Sequence, residues 1–328
     1  AYLFPKLITF VMIILSSCAS NNLLVIAHRG ASGYLPEHTL EAVSLAHGMN
    51  ADYIEPDLVL TRDNVPVVLH DIHIDTVTNV RRIFPKKKRQ DGRYYAIDFT
   101  LKQLKRLKVV ERFNPKTKKA VFNKRFPIGA SQFKIPTFVE YIELIQGLNK
   151  SRKMNIGIYP EIKNPEFHHK NKKQIEKIIF KILKKYGYTS GKKKIFLQCF
   201  DAKSLQFIRK TFKPKFPLIQ LIADDSWGEA NINYKEMLTY KGLKEVKTYA
   251  DGIGAWIPQL LLTDIHGSYL ATSSLKNAKE IGLTIHAYTL REEQLPEYAD
   301  SVESLANILN RVGVSGVFTD LPDKIRKK

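Results

Sequence analysis

Residues 53–71 read Tyr-Ile-Glu-Pro-Asp-Leu-Val-Leu-Thr-Arg-Asp-Asn-Val-Pro-Val-Val-Leu-His-Asp. Tyr53 to Leu60 has the length and apolarity of a buried strand, yet it carries acids at Glu55 and Asp57. Side chains alternate along a strand, so these two carboxylates share a face, and a pair tolerated on one face of a barrel needs a cation or a proton between them. Thr61 to Pro66 is a turn between two alternating runs, so Pro66 to His70 should return as a hairpin. With Asp63 and Asn64 as the two turn residues, Leu60 pairs with Val67 and Asp57 with His70, their Cβ atoms about 5 Å apart. Pro56 donates no ladder bond and argues for a bulge at this point.

Similar runs recur along the chain: Leu23 to Ala27, Ile156 to Ile162, Lys194 to Gln198, Leu218 to Ile222, Asp251 to Ala255, Leu283 to Leu290 and Gly316 to Thr319. Segments of helical period lie between them. Thr137 to Leu148 has capping-box spacing in Thr137 and Glu140 and an apolar stripe of Phe138, Tyr141, Ile142 and Ile145. Ile175, Ile178, Ile179, Ile182, Leu183 and Tyr186 form another stripe, read as core. Eight such βα units in roughly 300 residues fit a (β/α)8 barrel better than two doubly wound domains. One segment breaks the rhythm. Residues 71–135 separate the second strand from the helix before the third, too long for a βα loop, and so read as an insertion on the catalytic face.

The chain has 328 residues with 52 Lys+Arg against 32 Asp+Glu, a net +20 that suggests acidic partners without naming one. The charge is lopsided: Arg81 to Arg125 holds 17 basic residues and three acids, a net of +14. Two cysteines exclude a disulfide scaffold and a four-cysteine zinc module. Leu7 to Leu15 is an apolar stretch too short to span a bilayer, followed by small residues and Cys18, which reads as an export signal. Leu15-Ser16-Ser17-Cys18 resembles the bacterial lipobox. On that reading residues 1–17 are a signal peptide, Cys18 carries the lipid, and residues 18–328 form an exported barrel anchored in the cell envelope, in the periplasm or at the surface.

Chemistry concentrates at strand ends. The first strand ends in Ala27-His28-Arg29-Gly30, and the third in Tyr159-Pro160-Glu161-Ile162-Lys163. Neighbouring strands bring Glu161 to Glu55 and Asp57, and three hard anionic oxygen donors select Ca²⁺ or Mg²⁺ over zinc. HRGASGYLPEHT (28–39), EPDLVLTRDNVPVVLHD (55–71) and YPEIK (159–163) resemble the glycerophosphodiester phosphodiesterase family. NPEFHH (164–169), HAYTLR (286–291) and Thr319-Asp320-Leu321-Pro322 resemble its periplasmic or envelope lipoprotein type. The resemblance covers essentially the whole chain after Cys18. It implies a TIM barrel of the phospholipase C-like phosphodiesterase type, one divalent cation, and hydrolysis of glycerophosphodiesters to sn-glycerol 3-phosphate and an alcohol. Carried over by position, His28 and His70 are the acid/base pair, Glu55, Asp57 and Glu161 bind metal, and Arg29 and Lys163 contact phosphate. The sequence departs from the family pattern at His38, where Asn is usual, and at Pro56 between the metal carboxylates.

Other residues are read by position. Phe200 and Trp256, near strand ends, are candidate contacts for the glycerol carbons, and His286 is a candidate substrate contact or a layer of barrel packing. Glu37 orients Arg29, touches metal, or serves as a helix N-terminal acid. His168 and His169 either line the pocket or do not, His47 and His73 read as solvated, and Cys199 reads as a buried small hydrophobe. Two His serve acid/base work near neutral pH when one starts neutral and the other charged. The resemblance, together with the absence of an obvious enzyme nucleophile, implies that the substrate's 2-hydroxyl attacks first, through a cyclic phosphate. The basic insertion attracts anionic phosphodiesters or an anionic bilayer, or is a solvated surface; nucleic acid is not an expected partner. Two other functions compete. A phospholipase C- or D-like enzyme on intact lipid would show apolar residues around the mouth, and a host-protein-binding surface lipoprotein would use the C-terminal Lys327 and Lys328.

Overall fold

The structure, a computed structural model, describes residues 23–326. The strands are Leu24–His28 (β1), Tyr53–Glu55 (β2), Asp57–Leu60 (β3), Pro66–Val68 (β4), Gly157–Ile158 (β5), Glu161–Ile162 (β6), Leu197–Cys199 (β7), Leu218–Ile222 (β8), Gly252–Trp256 (β9), Leu261–Thr263 (β10), Tyr269–Ala271 (β11), Thr284–Leu290 (β12) and Gly316–Thr319 (β13). All eight apolar runs of the sequence are strands. The main sheet runs β4-β3-β6-β7-β8-β9-β12-β13-β1-β2-β5. β2 and β3 are one strand interrupted at Pro56, and β5 and β6 one strand interrupted at Tyr159-Pro160. The sheet therefore closes on itself, giving the (β/α)8 barrel.

The two interruptions coincide. Tyr53 pairs with Gly157 and Asp57 with Glu161, so Pro56 and Pro160 stand at the same level of adjacent strands. Each proline lacks a donor but keeps its acceptor. Pro56 O accepts from Glu161 N at 2.9 Å and Pro160 O from Gln198 N at 3.0 Å. The ladder thus survives on one side of each kink, and the kinks fall where the three carboxylates enter the barrel mouth.

The hairpin differs by one residue from the register the turn suggested. Leu58 pairs with Val68, Val59 with Val67 and Leu60 with Pro66. Arg62, Asp63 and Asn64 form a three-residue turn, which Asn64 permits by adopting φ 62° in the left-handed region. Thr61 closes it, accepting from Val65 N through its hydroxyl at 2.9 Å, and Asp63 then accepts from Leu101 N at 3.0 Å. Leu69 N donates to Asp57 O at 3.0 Å, so Leu69 rather than His70 stands opposite Asp57.

Inside the barrel, Ile26, Tyr53, Tyr159, Ile219 and Phe318 pack into one buried layer. The outer layer packs helices on strands. In the helix Phe138–Arg152 the capping box forms, Glu140 N to Thr137 Oγ1 at 3.1 Å and Thr137 N to Glu140 Oε2 at 2.7 Å, and Phe138, Tyr141, Ile142 and Ile145 are buried. His47, read as solvated, is fully buried on Leu40–Gly48, its Nε2 3.0 Å from Asn149 Oδ1. Cys199 is buried and free, as read.

The 71–135 insertion is no polar loop. Ile74, Val80, Tyr94, Phe99, Leu104 and Val109 build a second core on the outer side of the β3–β4 hairpin, against Val59, Val67 and Leu69. Several of its basic residues are spent on ion pairs: Arg81 and Arg93 with Asp75, Arg89 with Asp98, Lys105 with Glu140. The expected signal peptide 1–17, Cys18, Lys327 and Lys328 lie outside the described residues. Among the described residues no helix is long and apolar enough to cross a membrane.

Candidate active site

The C-terminal strand ends open into a cavity of about 730 Å³, the end of a TIM barrel at which chemistry is placed. His28, Arg29, Glu55, His70, Glu161, Phe200 and Trp256 line it. The turn after β1 depends on Gly30. Its φ is +81°, and a Cβ there would lie 2.8 Å from the Ala42 carbonyl carbon. This tight turn points Arg29 N at Glu55 Oε2, 2.8 Å away.

Glu55, Asp57 and Glu161 each offer an oxygen within 4.8 Å of the others, and all three are buried. Burial and mutual repulsion push the Glu55 carboxyl well above the usual range, and Glu161 likewise. Burial would raise Asp57 too, but the His38 hydrogen bond and nearby cationic groups hold it well below. Asp57 Oδ1 is buried with no hydrogen-bond partner. Three converging carboxylates with an orphaned oxygen are the donor set of a hard divalent cation, so the residues present fit one. His38 supports this set: its Nε2 lies 2.8 Å from Asp57 Oδ2.

Each cavity histidine is held at Nδ1 by a carboxylate. His28 Nδ1 is 2.6 Å from Asp320 Oδ1, and His70 Nδ1 is 2.7 Å from Asp71 Oδ1. Against the effect of burial, neighbouring cations keep both carboxyls well below their usual range. Both are therefore ionised acceptors, each Nδ1 carries the proton, and Nε2 is left for the cavity. Burial and then Arg29 lower His28 to about 3; burial, Arg29 and Lys163 lower His70 as well. Burial thus favours the neutral form of both rings.

Arg29 Nη1 donates to Glu37 at 3.2 Å, so among the readings of Glu37 the structure shows the one that orients Arg29. Lys163, 2 % exposed, does not itself line the cavity; its Nζ lies 2.8 Å from Glu161 Oε1 and 3.5 Å from His70 Nε2, two residues that do. Against its burial, Glu161 and Glu229 keep it protonated. His286 does not reach the cavity. It is fully buried in the barrel layer, Nδ1 2.7 Å from Tyr159 Oη, and burial lowers it to about 3. The packing reading of His286 is the one found, while Tyr288, two residues on, does line the cavity. His168 is buried and His169 pairs with Glu176 at 2.8 Å; neither lines this cavity.

Arg112 and Arg125 carry no expectation from the sequence, and Asp71, Arg291 and Asp320 are motif letters to which it gives no role. Asp71 follows His70 directly, a weak signal. Arg112 and Arg125 are hidden among 17 basic residues. Apolar side chains also line the cavity, Trp227, Trp256, Leu262, Leu295, Pro296 and Tyr298 among them.

Comparisons with known proteins agree with this arrangement. The chain is 42% identical over 319 residues to a glycerophosphodiester phosphodiesterase of Haemophilus influenzae, covering 92% of this chain and 88% of that one. It is 35% identical to one of Treponema pallidum, covering 94% and 92%. A phosphodiesterase from Oleispira antarctica, solved in complex with the product sn-glycerol-3-phosphate, superposes with a TM-score of 0.64 at 21% identity, covering 92% of this chain and 94% of that chain. A glycerophosphodiester phosphodiesterase from Agrobacterium tumefaciens gives 0.59 at 19% identity, covering 92% and 98%. These two show the shared fold. Residues 28–324 match the glycerophosphoryl diester phosphodiesterase family, and the chain belongs to it.

Proposed function

We propose that the protein hydrolyses glycerophosphodiesters to sn-glycerol 3-phosphate and an alcohol, with His28 and His70 as the proton-transfer pair. The observation that carries this is the pair of carboxylate-held imidazoles lining the same cavity as Glu55 and Glu161, whose carboxylates converge with that of Asp57. Glu55, Asp57 and Glu161 would hold Ca²⁺, or Mg²⁺, and a cation there supplies positive charge to the nonbridging phosphate oxygens. Arg29 and Lys163 add fixed positive charge beside it. One neutral imidazole accepts the proton of the attacking hydroxyl. The other, protonated once the anionic substrate offsets the cations that depress it, returns a proton to the departing alkoxide. The substrate's own 2-hydroxyl is the first nucleophile, and water then opens the cyclic phosphate; complete ¹⁸O incorporation with no cyclic species ever trapped would remove this step.

The apolar residues of the lining support a second reading, a lipid-derived substrate that keeps an acyl chain. Phe200 and Trp256 serve either reading, Phe200 packing beside Lys163 Nζ at 5.3 Å. One experiment addresses both. Glycerol 3-phosphate release is measured from glycerophosphocholine with Ca²⁺, Mg²⁺ or chelator, for the wild type and His28→Ala, beside lysophosphatidylcholine turnover. Release that needs metal and falls at least about 10²-fold in the variant is expected; a metal-loaded protein active on the acylated substrate alone would favour the second reading. Export and lipidation at Cys18 are part of this proposal and rest on the Leu15-Ser16-Ser17-Cys18 pattern.

A further inference from the structure

Two arginines of the 71–135 insertion end on carboxylates that in turn hold cavity-lining groups. Arg112 is mostly buried. Its Nε donates to Glu37 Oε2 at 2.9 Å and its Nη2 to Oε1 at 2.6 Å, while Nη1 donates to Asp71 Oδ2 at 2.7 Å. Both acceptors are already engaged from the other side. Asp71 holds His70 Nδ1, and Glu37 holds Arg29 Nη1. One planar fork therefore joins the carboxylates that hold a candidate proton-transfer group and a candidate phosphate ligand. A lysine ammonium offers charge here but not three coplanar donors.

Arg125 makes the same connection to the other histidine. Its Nη2 donates to Asp320 Oδ2 at 2.7 Å, and Asp320 Oδ1 holds His28 Nδ1. Its Nε and Nη2 bond Glu293 at 2.9 and 3.1 Å, and its guanidinium rests on the Phe122 ring at 4.0 Å. Only 8% of the side chain is exposed. Arg291 is a second donor to Asp320, at 2.8 Å from the barrel itself, so Arg125 adds the insertion's own hold on that carboxylate.

We propose that Arg112 and Arg125 are positioning residues: Arg112 fixes His70 through Asp71 and Arg29 through Glu37, and Arg125 fixes His28 through Asp320. The insertion is then the part that holds the site in register, and two of its positive charges act inward. The kinetic side of this inference rests on the phosphodiesterase reading; its geometric side does not.

The test compares Arg112→Gln, Arg112→Lys, Arg125→Gln and Arg125→Lys in the otherwise unchanged protein. Turnover of glycerophosphocholine is measured together with the Nδ1–H signals of ¹⁵N-histidine-labelled protein. Loss of fixed orientation costs on the order of 10²-fold in rate. Arg125→Gln should lower kcat by about that factor with KM within about threefold, because only His28 is released. Arg112→Gln should lower kcat and also raise KM, because Arg29 loosens too. The lysine variants should fall between. The protected His70 Nδ1–H signal should weaken in Arg112→Gln while that of His28 persists, with the reverse in Arg125→Gln. Folded glutamine variants with wild-type rates and unmoved histidine signals would overturn the proposal. If a glutamine variant does not fold, wild-type rates and signals in both lysine variants overturn it equally. A wild type that does not cleave glycerophosphocholine would count against the phosphodiesterase reading alone, and the histidine signals would still decide the positioning.

Discussion

His28 and His286 show how the same side chain is put to opposite uses by its neighbours. Both are nearly or fully buried and both are lowered to about 3 chiefly by that burial. His28 has an ionised Asp320 at Nδ1 and the cavity beyond; His286 has a neutral Tyr159 hydroxyl and the barrel layer around it. The sign of the stability effect follows. In the unfolded chain His286 returns to about 6.5, so between about pH 6.5 and pH 3 the unfolded state binds the extra proton. Stability is fully present above that window and is lost as pH falls through it, by about 1.4 kcal/mol per pH unit for one such ring. His286→Gln should flatten the pH dependence by about that slope between pH 6 and pH 4 while leaving the cavity lining intact. Urea unfolding at those two pH values reads it, and an unchanged slope would show that the ring does not stay neutral.

At the scale of elements, the hairpin and the insertion are one unit. The one-residue difference in hairpin register came from Asn64, which enters the left-handed region and lengthens the turn, a choice that alternation alone cannot fix. Its consequence is structural: Leu69 enters the insertion's core and His70 faces the barrel mouth. That core carries Arg112 and Arg125, so its packing bears on the site at a distance. Phe99 is fully buried there, and Phe99→Ala should cost about 3–5 kcal/mol. Protease cleavage within 71–135 and loss of turnover should rise together in this variant, with the barrel still folded by circular dichroism. Cleavage without loss of turnover would separate the insertion from the site.

The whole molecule carries a net +20, of which +14 lies between Arg81 and Arg125. Part of that charge is neutralised by Asp75, Glu37, Asp71 and Asp320, which lie outside this stretch, so the insertion is less available to an anionic bilayer than its composition suggests. On the proposed reading of Leu15-Ser16-Ser17-Cys18, attachment to a membrane would be the task of Cys18. Expressed in a bacterial host, the chain should incorporate labelled fatty acid and partition with membranes, and Cys18→Ala should do neither; a soluble, unlabelled wild type would remove the anchor.

The sequence by itself determined the eight strands, the barrel, the carboxylate triad and the two cavity histidines. These signals are local, an apolar run ending in a polar motif, and a parallel barrel collects strand ends at one mouth whatever the loops do. Tertiary structure alone decided the rest. The hairpin register turned on one residue's backbone conformation, His286 on its depth in the barrel, and His47 on the helix packed over it. The pairing of Arg112 with Asp71 and Glu37, and of Arg125 with Asp320, spans 41, 75 and 195 positions of chain. In a segment with 17 basic residues no local pattern marks which two turn inward, because only the folded insertion brings them to their carboxylates.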